Sequence, residues 1–123
     1  MHDYLRQSGR TTKQLTDAAR NALYVVPTRA SISYTRELAE RLHRDDIILV
    51  APLIFEEPEK FRGLGVLPPL IIDHAVVLTD RQQYGVKMYH QRRILRESVY
   101  KDQPAEYALR IESAAASLRR NLR

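Results

Sequence analysis

Three short apolar runs alternate along this chain with stretches of helical period. The run 23–26 reads Leu-Tyr-Val-Val and stops at Pro27. The run 46–51 reads Asp-Ile-Ile-Leu-Val-Ala and stops at Pro52. The run 70–72 reads Leu-Ile-Ile and is entered through Pro68 and Pro69. Runs that are apolar at nearly every position predict strands covered on both faces, as in a parallel sheet joined by crossover helices. Residues 12–21 read as a helix, because Leu15, Ala18, Ala19 and Ala22 follow i, i+3, i+4, i+7 spacing. Thr11 or Thr12 would cap it. A second helix is predicted over 33–43, with Tyr34, Leu38, Ala39 and Leu42 on one face and Ser33 as its cap. From Asp80 the pattern is helical again through Tyr84, Met88, Ile94, Leu95 and Val99, interrupted by Gly85. The last helix is predicted to start near Asp102 with Pro104 in its first turn.

The stretch 53–69 breaks this rhythm. It holds Glu56, Glu57, Pro58 and Glu59, then Gly63 and Gly65, and predicts one helical turn at 59–61. Long irregular connections of this kind are usually functional or mobile. The expected fold is a small three-layer α/β domain, with a mainly parallel sheet, flanking helices and a helical C-terminal extension. One domain spans 1–123, with an α/β core over 8–79 and a basic helical extension over 80–123.

Charge sharpens that division. The net charge is +5, yet residues 1–79 carry ten Lys/Arg against ten Asp/Glu. Residues 80–123 carry ten against five and hold the whole excess. Arg92, Arg93, Arg96, Lys101, Arg119 and Arg120 are therefore candidates for contact with phosphate or an acidic partner. Tyr84, Tyr89, Tyr100 and Tyr107 interleave with them, and aromatics among cations can stack bases. In the last helix Ala108, Ile111, Ala115, Leu118 and Leu122 follow 3-4-3-4 spacing. Such a seam packs on the chain itself or on a partner helix, homo-oligomer included. Ile111, Ala115, Leu118 and Leu122 are its interface candidates. Other classes are weakly supported. There are no cysteines for a disulfide or thiolate site, and no run near 20 apolar residues for a membrane span. The first six residues do not read as a secretory signal, and the expected compartment is the cytoplasm. His74, His90 and Asp73 lack the tight spacing of a metal site, and Ser8, Asp73 and His74 form no recognisable nucleophile pattern.

Three motifs stand beside the apolar runs in a fixed order: Gly9-Arg10-Thr11-Thr12, Val26-Pro27-Thr28-Arg29 and Ile72-Asp73-His74. The first resembles the G-K-[ST]-T end of a phosphate-binding loop, whose backbone N–H groups cradle phosphate at a helix N-terminus. The second resembles the V-P-T-R turn of superfamily 1 and 2 helicases, in which Thr and Arg face the nucleic-acid backbone. The third resembles a Walker B strand with its magnesium-holding Asp. Together they resemble the core of a P-loop NTPase. The segment 8–79 also resembles short proteins of tailed bacteriophages that carry G-R-T-T and a D-H after a strand. The resemblance implies that Gly9, Arg10, Thr11, Thr12, Asp73 and His74 are the phosphate or nucleotide candidates, and that Thr28 and Arg29 face nucleic acid.

The departures from the family pattern weigh against hydrolysis. Arg10 stands in the Lys position, although Arg also binds phosphate. His74 stands where the catalytic Glu is expected, Tyr4 falls where the loop's first Gly would be, and the strand feeding the loop is missing. The expected function is a non-catalytic, P-loop-like binding module of phage origin, acting in the bacterial host. Its partner would be nucleic acid or a host or phage protein. Two alternatives remain: an interaction factor that modulates a host machine, and a weak ATPase using ATP and magnesium, completed by oligomerisation. No catalytic residue, metal site or obligatory cofactor is expected.

Overall fold

Leu23, Tyr24 and Val25 are wholly buried and form β1 (Leu23–Val25), the central strand of a three-stranded sheet. The computed structural model describes residues 2–122, with side chains described over 9–122. β1 pairs in parallel with β2 (Ile48–Val50) and with β3 (Leu70–Ile72), in the order β2-β1-β3. Leu23 lies opposite both Ile48 and Leu70. The mixed α/β fold is completed by four α-helices: α1 (His2–Asp17), α2 (Ile32–Arg41), α3 (Asp80–Val99) and α4 (Pro104–Asn121). The apolar runs thus become parallel strands, and the central one is apolar at every position because neither of its faces meets water.

The chain divides into two compact units, Met1–Pro52 with Pro69–Val77, and Leu53–Pro68 with Leu78–Arg123. The N-terminal unit contains the sheet, α1 and α2. Its core is built on Leu15, Ala22, Tyr24, Val26, Ala39 and Ile47. Full burial of a side chain such as Leu15 is worth about 1.5–3 kcal/mol relative to exposure.

Each helix of this unit is followed by a residue with positive φ in the connection to the next strand. α1 stops at Asp17, and Asn21 sits at φ 64 in the turn before β1. The apolar spacing that predicts a helix to residue 21 therefore outlasts the helix, because Ala18 and Ala22 stay buried in a turn. α2 ends in a Schellman arrangement with His43 at φ 58. The His43 N–H donates to the Glu40 carbonyl, and the Arg44 N–H reaches back to the Ala39 carbonyl at 2.8 Å. Arg44 then caps α1. Its guanidinium donates to the carbonyls of Leu15, Thr16 and Ala19 and holds Asp46. Cations at a helix C-terminus satisfy its free carbonyls and complement its dipole. Asp46 in turn accepts the Asn21 N–H at 2.8 Å. Burial pushes the Asp46 carboxyl upward, but the Arg44 hydrogen bonds and charge and the Asn21 N–H outweigh this and hold it below the usual carboxylate range.

The C-terminal unit is organised around Tyr89. Its ring is met edge-on by Phe55 and Phe61, and its hydroxyl donates to the Pro68 carbonyl at 2.6 Å. Burial pushes the Tyr89 phenol well above its ordinary range, partly offset by the nearby Arg93 and Arg92 charges. The irregular stretch forms two 3-10 turns, Pro52–Glu56 and Pro58–Phe61. α3 is opened by a capping box between Thr79 and Gln82. Gly85 is required on α3, since a Cβ there would collide with the Phe55 backbone carbonyl. In α4 the buried residues are Ala114, Ala115 and Leu118.

Candidate functional site

At the C-terminal end of β3 a buried carboxylate gathers the N-terminal unit. Asp73 is 3% exposed. Its Oδ2 accepts the Thr11 hydroxyl at 2.9 Å and the Tyr24 hydroxyl at 2.6 Å. Its Oδ1 accepts the Ala75 N–H at 2.9 Å, and the His74 Nε2 stands 3.7 Å away. Burial pushes the Tyr24 phenol far above its ordinary range, and the hydrogen bond and charge of Asp73 push in the same direction. Thr11 comes from α1, Tyr24 from β1 and Asp73 from the turn after β3, so one side chain ties three elements together.

Gln14 completes the arrangement. Its Nε2 donates to the Ile72 carbonyl at 3.0 Å, and its Oε1 accepts the His74 N–H at 2.9 Å. β3 is an edge strand, and the Asp73 N–H on its inner side goes to the Val25 carbonyl of β1. Ile72 C=O and His74 N–H are the outward pair that a further parallel strand would take. The Gln14 amide occupies that pair like a peptide group and closes the edge locally.

Of the six phosphate candidates, Thr11, Asp73 and His74 come together at this place. The expected loop does not form there. Gly9, Arg10, Thr11 and Thr12 lie inside α1 rather than at a helix N-terminus, and Thr11 and Thr12 cap nothing. The physical reason is the local hydrogen bonding: N–H groups inside a helix are spent on the preceding turn and cannot cradle an anion. Thr12 is half-buried and its carbonyl accepts the Thr16 hydroxyl, while Gly9 and Arg10 are exposed. Among the described residues, no group of three or more His, Asp or Glu side chains is placed to hold a metal ion.

The other candidates separate. Thr28 and Arg29 are exposed in the turn after β1, where Thr28 and Ser31 hydrogen-bond to each other. Arg92 donates to the carbonyls of Phe61 and Leu64, and Arg93 to that of Leu67. These two cations, binding candidates by their charge, hold the irregular stretch. Arg96 and Lys101 are exposed, Arg119 is half-buried, and Arg120 donates to Ser117 at 3.0 Å. The terminal seam is largely internal to its unit. Ala115 and Leu118 are wholly buried, Ile111 and Leu122 half-buried, and Ala108 exposed. The seam therefore packs on the chain itself, against the Pro58–Phe61 turn, rather than standing open to a partner. Tyr100 and Tyr107 stack on each other with ring centroids 5.5 Å apart, and Tyr89 is buried, so only Tyr84 of the four interleaved tyrosines is well exposed.

No known protein family matches this chain, and no curated protein or solved structure matches it either. Two side chains essential to the site escape sequence reading. Gln14 carries no local signal. Tyr24 carries one, since a tyrosine inside a buried apolar strand needs a partner for its hydroxyl. Among the described residues, no helix is long and apolar enough to cross a membrane.

Proposed function

We propose that this chain is a non-catalytic binding module, built on a small three-layer, P-loop-like scaffold, that engages a protein partner through its C-terminal unit. The state of Asp73 carries this reading. A magnesium–nucleotide site needs a carboxylate facing the ligand and a helix N-terminus offering free N–H groups. Here the carboxylate is 3% exposed and accepts Thr11, Tyr24 and Ala75. The hydroxyl and the carboxylate that would share a magnesium ion are bonded directly to each other. The pairing of Thr11 with Asp73 supports the P-loop resemblance, and its closure supports the loss of catalysis. On the same resemblance we assign the module to a tailed bacteriophage acting inside its bacterial host.

A protein partner fits better than nucleic acid because Arg92 and Arg93, central to the basic C-terminal third, bond to loop carbonyls. The test is phosphate release from ATP and GTP with magnesium, with and without DNA. The expected rate is that of the blank. Turnover by the native chain that disappears in a folded Asp73→Asn variant would defeat the proposal.

A further inference from the structure

The C-terminal unit leaves one face of α3 uncovered. At about 100° per residue, Tyr84, Met88, Leu95 and Val99 fall within roughly 60° of arc. They are 65%, 45%, 69% and 65% exposed. The buried Tyr89 and the close-packed Gly85 lie on a different face. A surface helix ordinarily carries polar side chains on its outer face, so a stripe of large apolar groups there marks an interaction surface. The stripe runs into a groove of about 680 Å³. Tyr84 and Met88 line the groove from α3, and Phe55, Pro58, Phe61 and Leu67 line it from the irregular stretch.

The charges around the stripe define the occupant. Lys87 flanks one side, Arg92 and Arg96 the other, and Lys87 and Arg96 are exposed. The carboxylates lie at one end. Glu56 and Asp80 line the groove's N-terminal mouth, where Glu56 accepts Gln82 and faces Arg81. The unit as a whole carries twelve Lys/Arg against eight Asp/Glu. A second copy of this chain fits poorly. Antiparallel pairing of two stripes would set Met88 against Leu95 and lay the Arg92 flank of one copy along the Arg92 flank of the other. Like charges in register oppose such a contact. A flat anionic bilayer would leave the groove unfilled and would repel Glu56 and Asp80. An apolar stripe with cationic flanks and a concave pocket at one end matches a helix laid in a groove.

We propose that the α3 stripe and its groove dock an acidic amphipathic helix of another protein, with one bulky apolar side chain inserted between Tyr84, Met88 and Phe61. The site rests on the binding-module reading and names its partner's chemistry. Tyr84 to Val99 spans about 22 Å at 1.5 Å per residue, so the docked helix has roughly four turns. Glutamates flanking its apolar face meet Lys87 and Arg96, and its apolar residues repeat at i, i+3, i+4, i+7.

The experiment uses the full chain and a labelled synthetic helical peptide of about five turns. The peptide carries leucines and one tryptophan on its apolar face and glutamates on its flanks. A second peptide has the same apolar face and lysine flanks. Fluorescence anisotropy should give a Kd of about 10 μM or tighter for the acidic peptide and at least about tenfold weaker binding for the basic one. Leu95→Glu and the double substitution Lys87→Glu with Arg96→Glu should each weaken the acidic peptide by at least about tenfold. These positions are exposed, so the variants should keep the native circular dichroism and melting curve. No binding of the acidic peptide up to about 1 mM overturns the site, as does equal binding of both peptides. Light scattering should give a monomer, and a dimer dissociated by Leu95→Glu would assign the stripe to a second copy instead. Binding to phosphatidylserine vesicles lost in Leu95→Glu would assign it to a membrane surface. Each of these failures leaves the absence of nucleotide turnover untouched, so failure of the docking site and failure of the non-catalytic reading are separable.

Discussion

Removal of one oxygen atom, in Tyr24→Phe, tests the Asp73 network most cleanly. The Tyr24 ring is wholly buried in β1, and its hydroxyl donates to Asp73 Oδ2 at 2.6 Å. Phenylalanine keeps the ring packing and leaves a gap of one oxygen. The carboxylate then retains Thr11 on Oδ2 and the Ala75 N–H on Oδ1. A hydrogen bond to a charged group is worth about 1.5–3 kcal/mol, and the two remaining donors place the cost near the middle of that range. Urea unfolding at neutral pH should show a lower midpoint with an unchanged m-value. Thr11→Val should cost a comparable amount. The double variant should cost more than the two together, because the last hydroxyl on a buried oxygen is the hardest to lose. The network also has a pH signature. Folding raises the Tyr24 pKa above its ordinary value of 10.0. Its contribution is therefore complete below that value and is lost as pH rises beyond it. The alkaline loss of stability should be smaller in Tyr24→Phe, with the share due to Tyr89 remaining. A change under about 0.5 kcal/mol at neutral pH, or a stabilised variant, would refute the reasoning, since a solvated or metal-ready carboxylate would not depend on this donor.

Two further predictions concern other parts of the chain. Gly85→Ala should destabilise by at least about 2 kcal/mol in urea melts, because its Cβ would meet backbone rather than a yielding side chain. A gain of about 1 kcal/mol, the ordinary helix preference of Ala over Gly, would show that α3 stands away from Phe55. Asp46 has a depressed pKa in the fold, so its contribution is present above the unfolded value of 3.8 and is lost as pH falls through the lower folded value. Asp46→Asn should flatten the acid limb of the stability profile, and an unchanged limb would mean that the carboxylate is not held by Arg44 and Asn21.

The parallel strands were legible in the sequence because each is a short apolar run with its own proline punctuation. α2, α3 and α4 were legible from their period, and α4 also from Pro104 in its first turn, whereas the expected cap Ser33 lies inside α2, whose N-cap is Ser31. α1 was legible only over its last turns, 12–17, because Gly9-Arg10-Thr11-Thr12 has the composition of a cap and none of a helix interior. The contacts made there by Thr11 and Gln14 lie 62 and 58 residues away, at Asp73 and Ile72, beyond any local pattern. Asn21 and His43 show the same limit at helix ends, since their positive φ is set by the turns that follow. For Arg92 and Arg93 the limit is of a different kind. Charge counting sees cations, whereas an irregular stretch with Gly63 and Gly65 has backbone carbonyls to satisfy. Asp73 and Thr11 were found together, but for the chemistry of a phosphate site rather than as two ends of one buried hydrogen bond.

The central claim, that the residues resembling a nucleotide site are spent on holding the fold together, is tested by the free energy of unfolding in urea with magnesium and ATP against magnesium alone. A ligand at a hundred times its Kd raises that free energy by about 2.7 kcal/mol. Equal values are expected with and without millimolar ATP. A rise of that size, absent from a folded Asp73→Asn variant, would contradict the claim and restore Asp73 as a magnesium–nucleotide ligand.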